Sequence, residues 1–498
     1  MATIDVTTYG VSPAASSTTN RTSFASAMAA AVAGDELYIP DGTYTFNVAS
    51  LRSILVSKAV TVRGQSKAGT ILQIDASLVG QTGSFWRIFE VTAGGATIRD
   101  LTIEGRKPNS NTVTIYDEFV EHHSGIFVGP SISGFTLSNV AVRNFEGDGL
   151  QIYSAVANPI VEDCDFDYCQ RSGMSFTPSL PTLPVTNAIV RRNTYTGMTG
   201  QPIDNEHGPV LGCEIYENTF NYSNNNYSLT ISGYDDTIGA ANRSKNYDVH
   251  HNWFGGAVFV IRCESITIRQ NTWVNQTTKP CVDISRSAYN ILIEDNDMTN
   301  VQTTTSSVSV VNAIGTTEPG PVYAFPTQIL VSNNRITATG HASSFGVRCE
   351  GCHSVVVSGN TITGPGLTAI GFAGVYLRSN IVARDFVSAV VSGNNIRNWG
   401  QRGISIVGNS TAEMLYAEIV SNKIGNIDGA TAMNQGMSLD DGTGVLQSAL
   451  IVENTFGAGI TNAIVNVGTA EIALAFPAQE GTARSSAFTG LSFVGGWL

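Results

Sequence analysis

One short phrase recurs along this chain: an apolar residue, a polar residue, Asn or Asp, any residue, then apolar again. It reads Ile98-Arg99-Asp100-Leu101-Thr102-Ile103 and Leu137-Ser138-Asn139-Val140-Ala141-Val142, then Val161-Glu162-Asp163, Val190-Arg191-Arg192-Asn193, Ile215-Tyr216-Glu217-Asn218 and Val249-His250-His251-Asn252. Later copies centre on Asn271, Asn296, Asn334, Asn360, Asn394, Asn422 and Asn454. From Asn139 onward, successive copies lie 19 to 38 residues apart. A recurrence of this length marks a solenoid. Helical solenoids of that period need long 3.6-residue patterns, whereas the intervals here read as short alternating strands broken by Gly, Asn and Ser. One turn per interval, stacked at ~4.8 Å like neighbouring strands, gives an all-β parallel β-helix of about 12 coils. The repeated Asn is expected at a corner with positive φ, its amide stacked on the next turn. The uneven spacing then means loops of different length on a constant rod.

Composition removes several function classes. The net charge of −13, from 27 basic and 40 acidic residues, argues against binding nucleic acid through phosphate neutralisation. No apolar run approaches the ~18 residues of a membrane span, so no membrane partner is expected. The opening Met1-Ala-Thr-Ile-Asp-Val has neither a charged nor an apolar leader segment. The seven cysteines form no paired framework, and Cys349-x-x-Cys352 reads as two small buried residues rather than a metal or redox pair.

The ends differ from the rod. Residues 20–33 place Phe24, Met28 and Val32 on one helical stripe, with Asn20 as the expected N-cap and Gly34 as the stop. Residues 1–45 are therefore read as an N-terminal cap with a short helix covering the open end of the solenoid, and 46–470 as the β-helix. Residues 471–498, ending in Phe493-Val494-Gly495-Gly496-Trp497-Leu498, are read as a tail packing on the rod or on a partner chain.

The opening Val6-Thr7-Thr8-Tyr9-Gly10-Val11, the capping helix and Leu37-Tyr38-Ile39-Pro40-Asp41-Gly42-Thr43-Tyr44 resemble the N-terminal coil of the pectate-lyase-like β-helix superfamily. That superfamily includes phage tailspike depolymerases, polygalacturonase-like hydrolases, polysaccharide lyases and alginate C5-epimerases. The resemblance is specific over residues 5–45 and continues more generally through Arg99-Asp100-Leu101-Thr102-Ile103-Glu104-Gly105 and Gly147-Asp148-Gly149. It implies a right-handed helix and a polysaccharide laid along one sheet face with catalytic groups at mid-rod. It also implies an extracellular or virion-associated protein and, with the apolar tail, a homotrimer. Residues 137–176 are similar to alginate epimerases, yet the Asp-Pro-His-Glu signature is replaced by Gln151-Ile152-Tyr153-Ser154. The polygalacturonase set of Asn-Thr-Asp, paired Asp, Gly-His-Gly and Arg-Ile-Lys is missing too.

Side chains on a β-helix alternate inward and outward along each strand. Aligning the strand after each corner sends Leu150, Ile152, Met174, Phe176, Leu229, Ile231, Val282, Ile284, Val347 and Cys349 inward. Gln151, Tyr153, Ser175, Thr177, Asp204, Glu206, Thr230, Ser232, Asp283, Ser285, Arg348 and Glu350 then point outward. Residues 257–264 fit poorly, because Phe259 and Ile261 fall outside, and a register shifted by one is the alternative.

The densest polar run is Gln201-Pro202-Ile203-Asp204-Asn205-Glu206-His207-Gly208. Asp204 and Glu206 would leave one face ~6–7 Å apart, compatible with a carboxylate pair working on a glycosidic bond. Two carboxylates this close push their pKa values apart, into an acid and a base. His207 adds a group titrating near neutrality. The bland alternative is a solvated acidic corner. The next interval carries Tyr234, Asp235, Arg243, Lys245, Tyr247, His250 and His251. Tyr234, Lys245 and Tyr247 are candidate Brønsted groups for β-elimination, and Arg243 is a candidate neutraliser of a uronate. His250 and His251 sit in the corner phrase and read as structural. A second insertion, Arg106 to Ser124, carries Tyr116, Asp117, Glu118, Glu121, His122 and His123, and either walls the same groove or is ordinary surface. Tyr153, Tyr234 and Tyr247 are candidate rings for stacking on sugar. Trp273 takes the apolar slot after Asn271 and reads as core. Asp283 and Arg286 are expected ~14 Å along the axis from Asp204, within reach of one sugar chain but not of one bond.

The reading that emerges is a polysaccharide-degrading glycoside hydrolase that needs no cofactor. A polysaccharide lyase, using bound Ca²⁺ or the Arg243–His251 segment, is the alternative. A non-catalytic polysaccharide-binding tailspike or adhesin rod is the third reading.

Overall fold

A computed structural model describes all residues except 82–83, 108–119, 207, 222–226, 234–242, 277–278, 301–308, 316–324, 340–343, 366–371, 380–385, 409–413, 426–432, 440–445, 458–459, 467–470, 476–487 and 490–498. It contains two compact units, Met1–Gly256 and Ala257–Leu498.

In the first unit the chain winds through parallel strands that alternate between two sheets. One sheet stacks Thr97–Glu104, Thr136–Arg143, Val185–Arg191, Val210–Tyr216 and Ser244–His250, with Ile160–Glu162 and Asp165–Asp167 inserted between the second and third of these. The other stacks Ser124–Val128, Leu150–Tyr153, Met174–Thr177, Ile203–Asn205 and Tyr227–Ser232. Its register aligns Leu150, Met174, Ile203 and Leu229, all essentially inaccessible, as the alternation requires. Each such side chain contributes about 1.5–3 kcal/mol by leaving water.

The second unit repeats the pattern. Val258, Val282, Val311, Val347, Val375, Ile404, Met437 and Ile464 form one buried column across eight paired strands. Val260 and Ile284 are inward and paired, so the register of this strand is not shifted. Phe259 and Ile261 lie on the outward side, half-buried and buried respectively. Trp273 is core, at 1% exposure. All seven cysteines are buried and free, Cys349 and Cys352 among them.

The repeated Asn builds a ladder of side-chain amides. The Asn218 Oδ1 accepts from the backbone and side-chain nitrogens of Asn193, and Asn252 does the same for Asn218. In the second unit the chain of contacts runs Asn271, Asn296, Asn334, Asn360, Asn394, Asn422, Asn454. The expected positive φ does not fall on these residues. It falls on the one before each: Arg192, Glu217, His251, Gln270, Asp295, Asn333, Ser421 and Glu453, with Gly359 and Gly393 at the same corner. A side chain that must point inward to bond its neighbour needs an ordinary backbone, so the left-handed turn is made one residue earlier. Asp100, Asn139 and Asp163 do have positive φ and therefore occupy the turn position, not the ladder. Consistently, the Cys164 backbone N–H donates to Asn193 Oδ1. Two residues beyond the ladder, Phe166, Tyr195, Phe220 and Phe254 stack as parallel rings at 5.0, 5.0 and 4.7 Å.

Helix α1 spans Ser17–Ala30, starting earlier than expected because Ser16, not Asn20, caps it by accepting from the Thr19 N–H. Asn20 is fully buried instead, accepting from Ser12 N–H and donating to Thr45 carbonyl. Phe24 and Met28 are buried, with Phe24 edge-on to Phe46, but Val32 lies past the helix end and is 63% exposed. Near the other terminus, Glu471–Ala475 pairs in register with Leu446–Val452. The final segment 493–498 lies outside the described residues.

Candidate functional site

The strands Leu150–Tyr153, Met174–Thr177 and Ile203–Asn205 present Gln151, Ser175 and Asp204 as one paired outward row. This row is not an open surface: Ser175 is fully buried and Asp204 is 7% exposed. Burial and the neighbouring Asp148 push the Asp204 carboxyl up to about 6, against a smaller opposing pull from Arg171. Asp148 is itself buried, which raises it, while Arg171 and a hydrogen bond from the Ser175 hydroxyl at 2.7 Å hold it down. Arg171 bridges the group, reaching Asp148 at 3.2 Å with one nitrogen and Glu206 with the other. Glu206, immediately after the strand, is the more accessible carboxylate. Arg171 thus sits among three carboxyl groups, and burial raises two of them, Asp148 and Asp204.

Strand alternation gives no signal for Asp148 and Arg171, because both lie between strands. Gly147-Asp148-Gly149 offered the signal: an acidic residue between two glycines at a corner. Gly149 packs its Cα under the Gly173 carbonyl, with 2.6 Å to where a Cβ would stand. This corner therefore has little room for anything larger.

The other expected site residues separate. Tyr153 is outward and half-buried, its ring 5.5 Å from Phe127. His207, Tyr234 and Asp235 lie outside the described residues, as do Tyr116, Asp117 and Glu118. Arg243 and Lys245 are half-buried at the start of Ser244–His250. Tyr247 is not a groove residue. It pairs with Cys213 in the first sheet, is 2% exposed, and its hydroxyl takes a hydrogen bond from buried Asn205 at 3.0 Å. The expectation fails because a strand resumes at Ser244 within this interval and turns Tyr247 inward. His123 is likewise no groove wall: it is inaccessible, stacks on Trp86 at 4.7 Å and bonds Glu146 at 2.7 Å and the Ser84 carbonyl at 2.9 Å. In the second unit Asp283 points outward, accepts from Asn312 at 2.8 Å and is raised by burial. Arg286 occupies a left-handed turn at φ 56.

Comparison with known proteins agrees with this architecture. The family model described as right handed beta helix region matches residues 60–220. The A-module of the mannuronan C-5 epimerase AlgE6 from Azotobacter vinelandii superposes with a TM-score of 0.53 at 17% identity, covering 78% of this chain and 98% of that module. The fold is the right-handed parallel β-helix. The resemblance read from the N-terminal coil thus holds at the level of fold. Two further β-helix matches cover more of the chain at lower scores. The surface adhesin PfbA of Streptococcus pneumoniae has a TM-score of 0.40 at 13% identity, over 97% of this chain and 96% of that one. The catalytic unit of a GH87 alpha-1,3-glucanase from Streptomyces thermodiastaticus has a TM-score of 0.38 at 15% identity, over 95% and 68%. No curated protein sequence matches the chain.

Proposed function

We propose that this β-helix is a polysaccharide-acting enzyme that cleaves glycosidic bonds by hydrolysis, outside the cell or on a virion. The observation that carries the proposal is the Asp204 carboxyl, pushed up to about 6 by burial and by Asp148. A carboxylic acid still protonated near neutrality can protonate a departing glycosidic oxygen. Glu206, ion-paired to Arg171 and more accessible, supplies the second carboxylate as base or nucleophile. Asp148 acts through Asp204 and is a positioning residue. Tyr153 and Phe127 offer rings beside the same row for a sugar face. Elimination loses one of its expected bases, since Tyr247 faces the core.

The test is a panel of neutral and uronate-containing polysaccharides, followed by reducing ends and ultraviolet absorbance together. Reducing ends without absorbance support hydrolysis. Absorbance rising in step would transfer the assignment to β-elimination, and saturable binding without either signal would leave a binding rod.

A further inference from the structure

Away from the carboxylate row, the first sheet carries a second polar cluster on its outer face. Val210–Tyr216 and Ser244–His250 are paired in register, so Glu214 stands beside Asp248 and Tyr216 beside His250. Asp248 and His250 are two apart on one strand and share a face. One donor atom from each of Glu214, Asp248 and His250 lies within 4.8 Å of the other two. This arrangement is dictated by backbone pairing and does not depend on a loop.

His250 is what distinguishes the cluster from an ordinary acidic patch. It is 9% exposed, and its ring lies flat on Tyr216, at 4.9 Å and 6°. Its Nδ1 is 2.8 Å from His251 Nδ1, and its Nε2 faces Glu214 Oε1 at 3.3 Å. With the proton on His250 Nδ1, the first contact is a hydrogen bond donated to His251, and the Nε2 lone pair faces the Glu214 carboxylate, leaving a cation to sit between them. A ring fixed by stacking, with its far nitrogen hydrogen-bonded and its near nitrogen turned toward a carboxylate, is how imidazole is presented to a metal. The left-handed backbone of His251, φ 54, turns that residue back onto its neighbour.

We propose that Glu214, Asp248 and His250 form a divalent transition-metal site, with His251 orienting the imidazole and open positions left to water. Two carboxylates and one imidazole balance the charge of a divalent ion. The nitrogen donor favours Zn²⁺, Ni²⁺ or Co²⁺ over Ca²⁺ and Mg²⁺. Because the ligands come from two adjacent coils, bound metal would tie those coils together and raise the stability of the folded chain by mass action.

The experiment is calorimetric titration of the chelator-stripped full chain with ZnCl2 and, separately, CaCl2 at pH 7.5, with thermal melts in parallel. The variants are Glu214→Gln and Asp248→Asn, at partly exposed positions where an isosteric amide keeps the fold; their metal-free melts against wild type verify this. Expected are one saturable Zn²⁺ per chain, a higher melting temperature with Zn²⁺ that is reversed by chelator, and at least about tenfold weaker binding in each variant. Absence of saturable Zn²⁺ binding would overturn the proposal, as would binding unchanged in both variants. Equal affinity for Ca²⁺ and Zn²⁺ would remove His250 from the ligand set.

Discussion

Replacing Asn360 by Ala tests the physical role of the ladder. Asn360 is 1% exposed, and its Oδ1 accepts from the Asn334 backbone N–H at 2.8 Å and from Asn334 Nδ2 at 3.0 Å. Its Nδ2 donates to the carbonyls of Val331 and Ser358 and to Asn394 Oδ1, at 2.8 to 3.0 Å. Alanine removes all five contacts. The Asn334 side chain has other partners, the Ile293 and Ser332 carbonyls, but the Asn334 backbone N–H is left buried without its acceptor. One orphaned buried group costs ~1–3 kcal/mol, and the lost bonds add a fraction more, so the local penalty is about 3 kcal/mol. A solenoid concentrates such damage at neighbouring coils. Native-state hydrogen exchange should therefore show the Asn334 amide exchanging about a hundredfold faster, 1.4 kcal/mol being tenfold. Asn454→Ala, at a part-buried ladder position, should accelerate the Asn422 amide less. Acceleration of Asn334 below about threefold, or an equal effect at both positions, would refute the ladder as a source of stability.

Three further outcomes are expected. Asp204 has a folded pKa of about 6 against an ordinary 3.8, so its contribution to stability is present below about 3.8 and lost as pH rises through 6. Asp204→Asn should therefore be more stable than wild type at pH 8, by up to about 3 kcal/mol, and show little gain at pH 3.5, in denaturant titrations at the two pH values. Arg171→Gln removes the cation that holds Asp148 and Asp204 down, so the pH at which activity falls on the alkaline side should move upward, read from kcat/KM against pH. Tyr247→Phe should lower stability by about 1 kcal/mol through the lost Asn205 bond and leave turnover unchanged, measured by urea melts and initial rates.

Much of the fold was legible because the residues that build it are repeated. The inward columns through Leu150, Met174 and Leu229 follow from period-two alternation alone, and the Asn phrase fixed the coil length. The phrase misled by one residue at Asp100, Asn139 and Asp163, because Asn and Asp suit the left-handed turn as well as the ladder slot beside it. Phe259 looked misplaced because an outward apolar residue on a partly covered face is indistinguishable, in sequence, from a slipped register. The candidate site was half legible. Asp204 and Glu206 lie on or beside a strand, where alternation has force. Asp148 and Arg171 come from corners and reach the same place only through coil stacking, which no local pattern encodes. Tyr247 shows the converse: a polar tip on an interior ring, satisfied by Asn205, reads like a catalytic group until the strand that carries it is seen.

The central claim is that Asp204 donates a proton to a glycosidic oxygen with Glu206 as its partner. It is tested most directly by measuring reducing-end release from a cleaved polysaccharide by wild type, Asp204→Asn and Glu206→Gln side by side, with unchanged circular dichroism as the folding control. The account predicts at least about a hundredfold loss of rate in each variant. Full activity in both would contradict it and move the chemistry elsewhere on the β-helix.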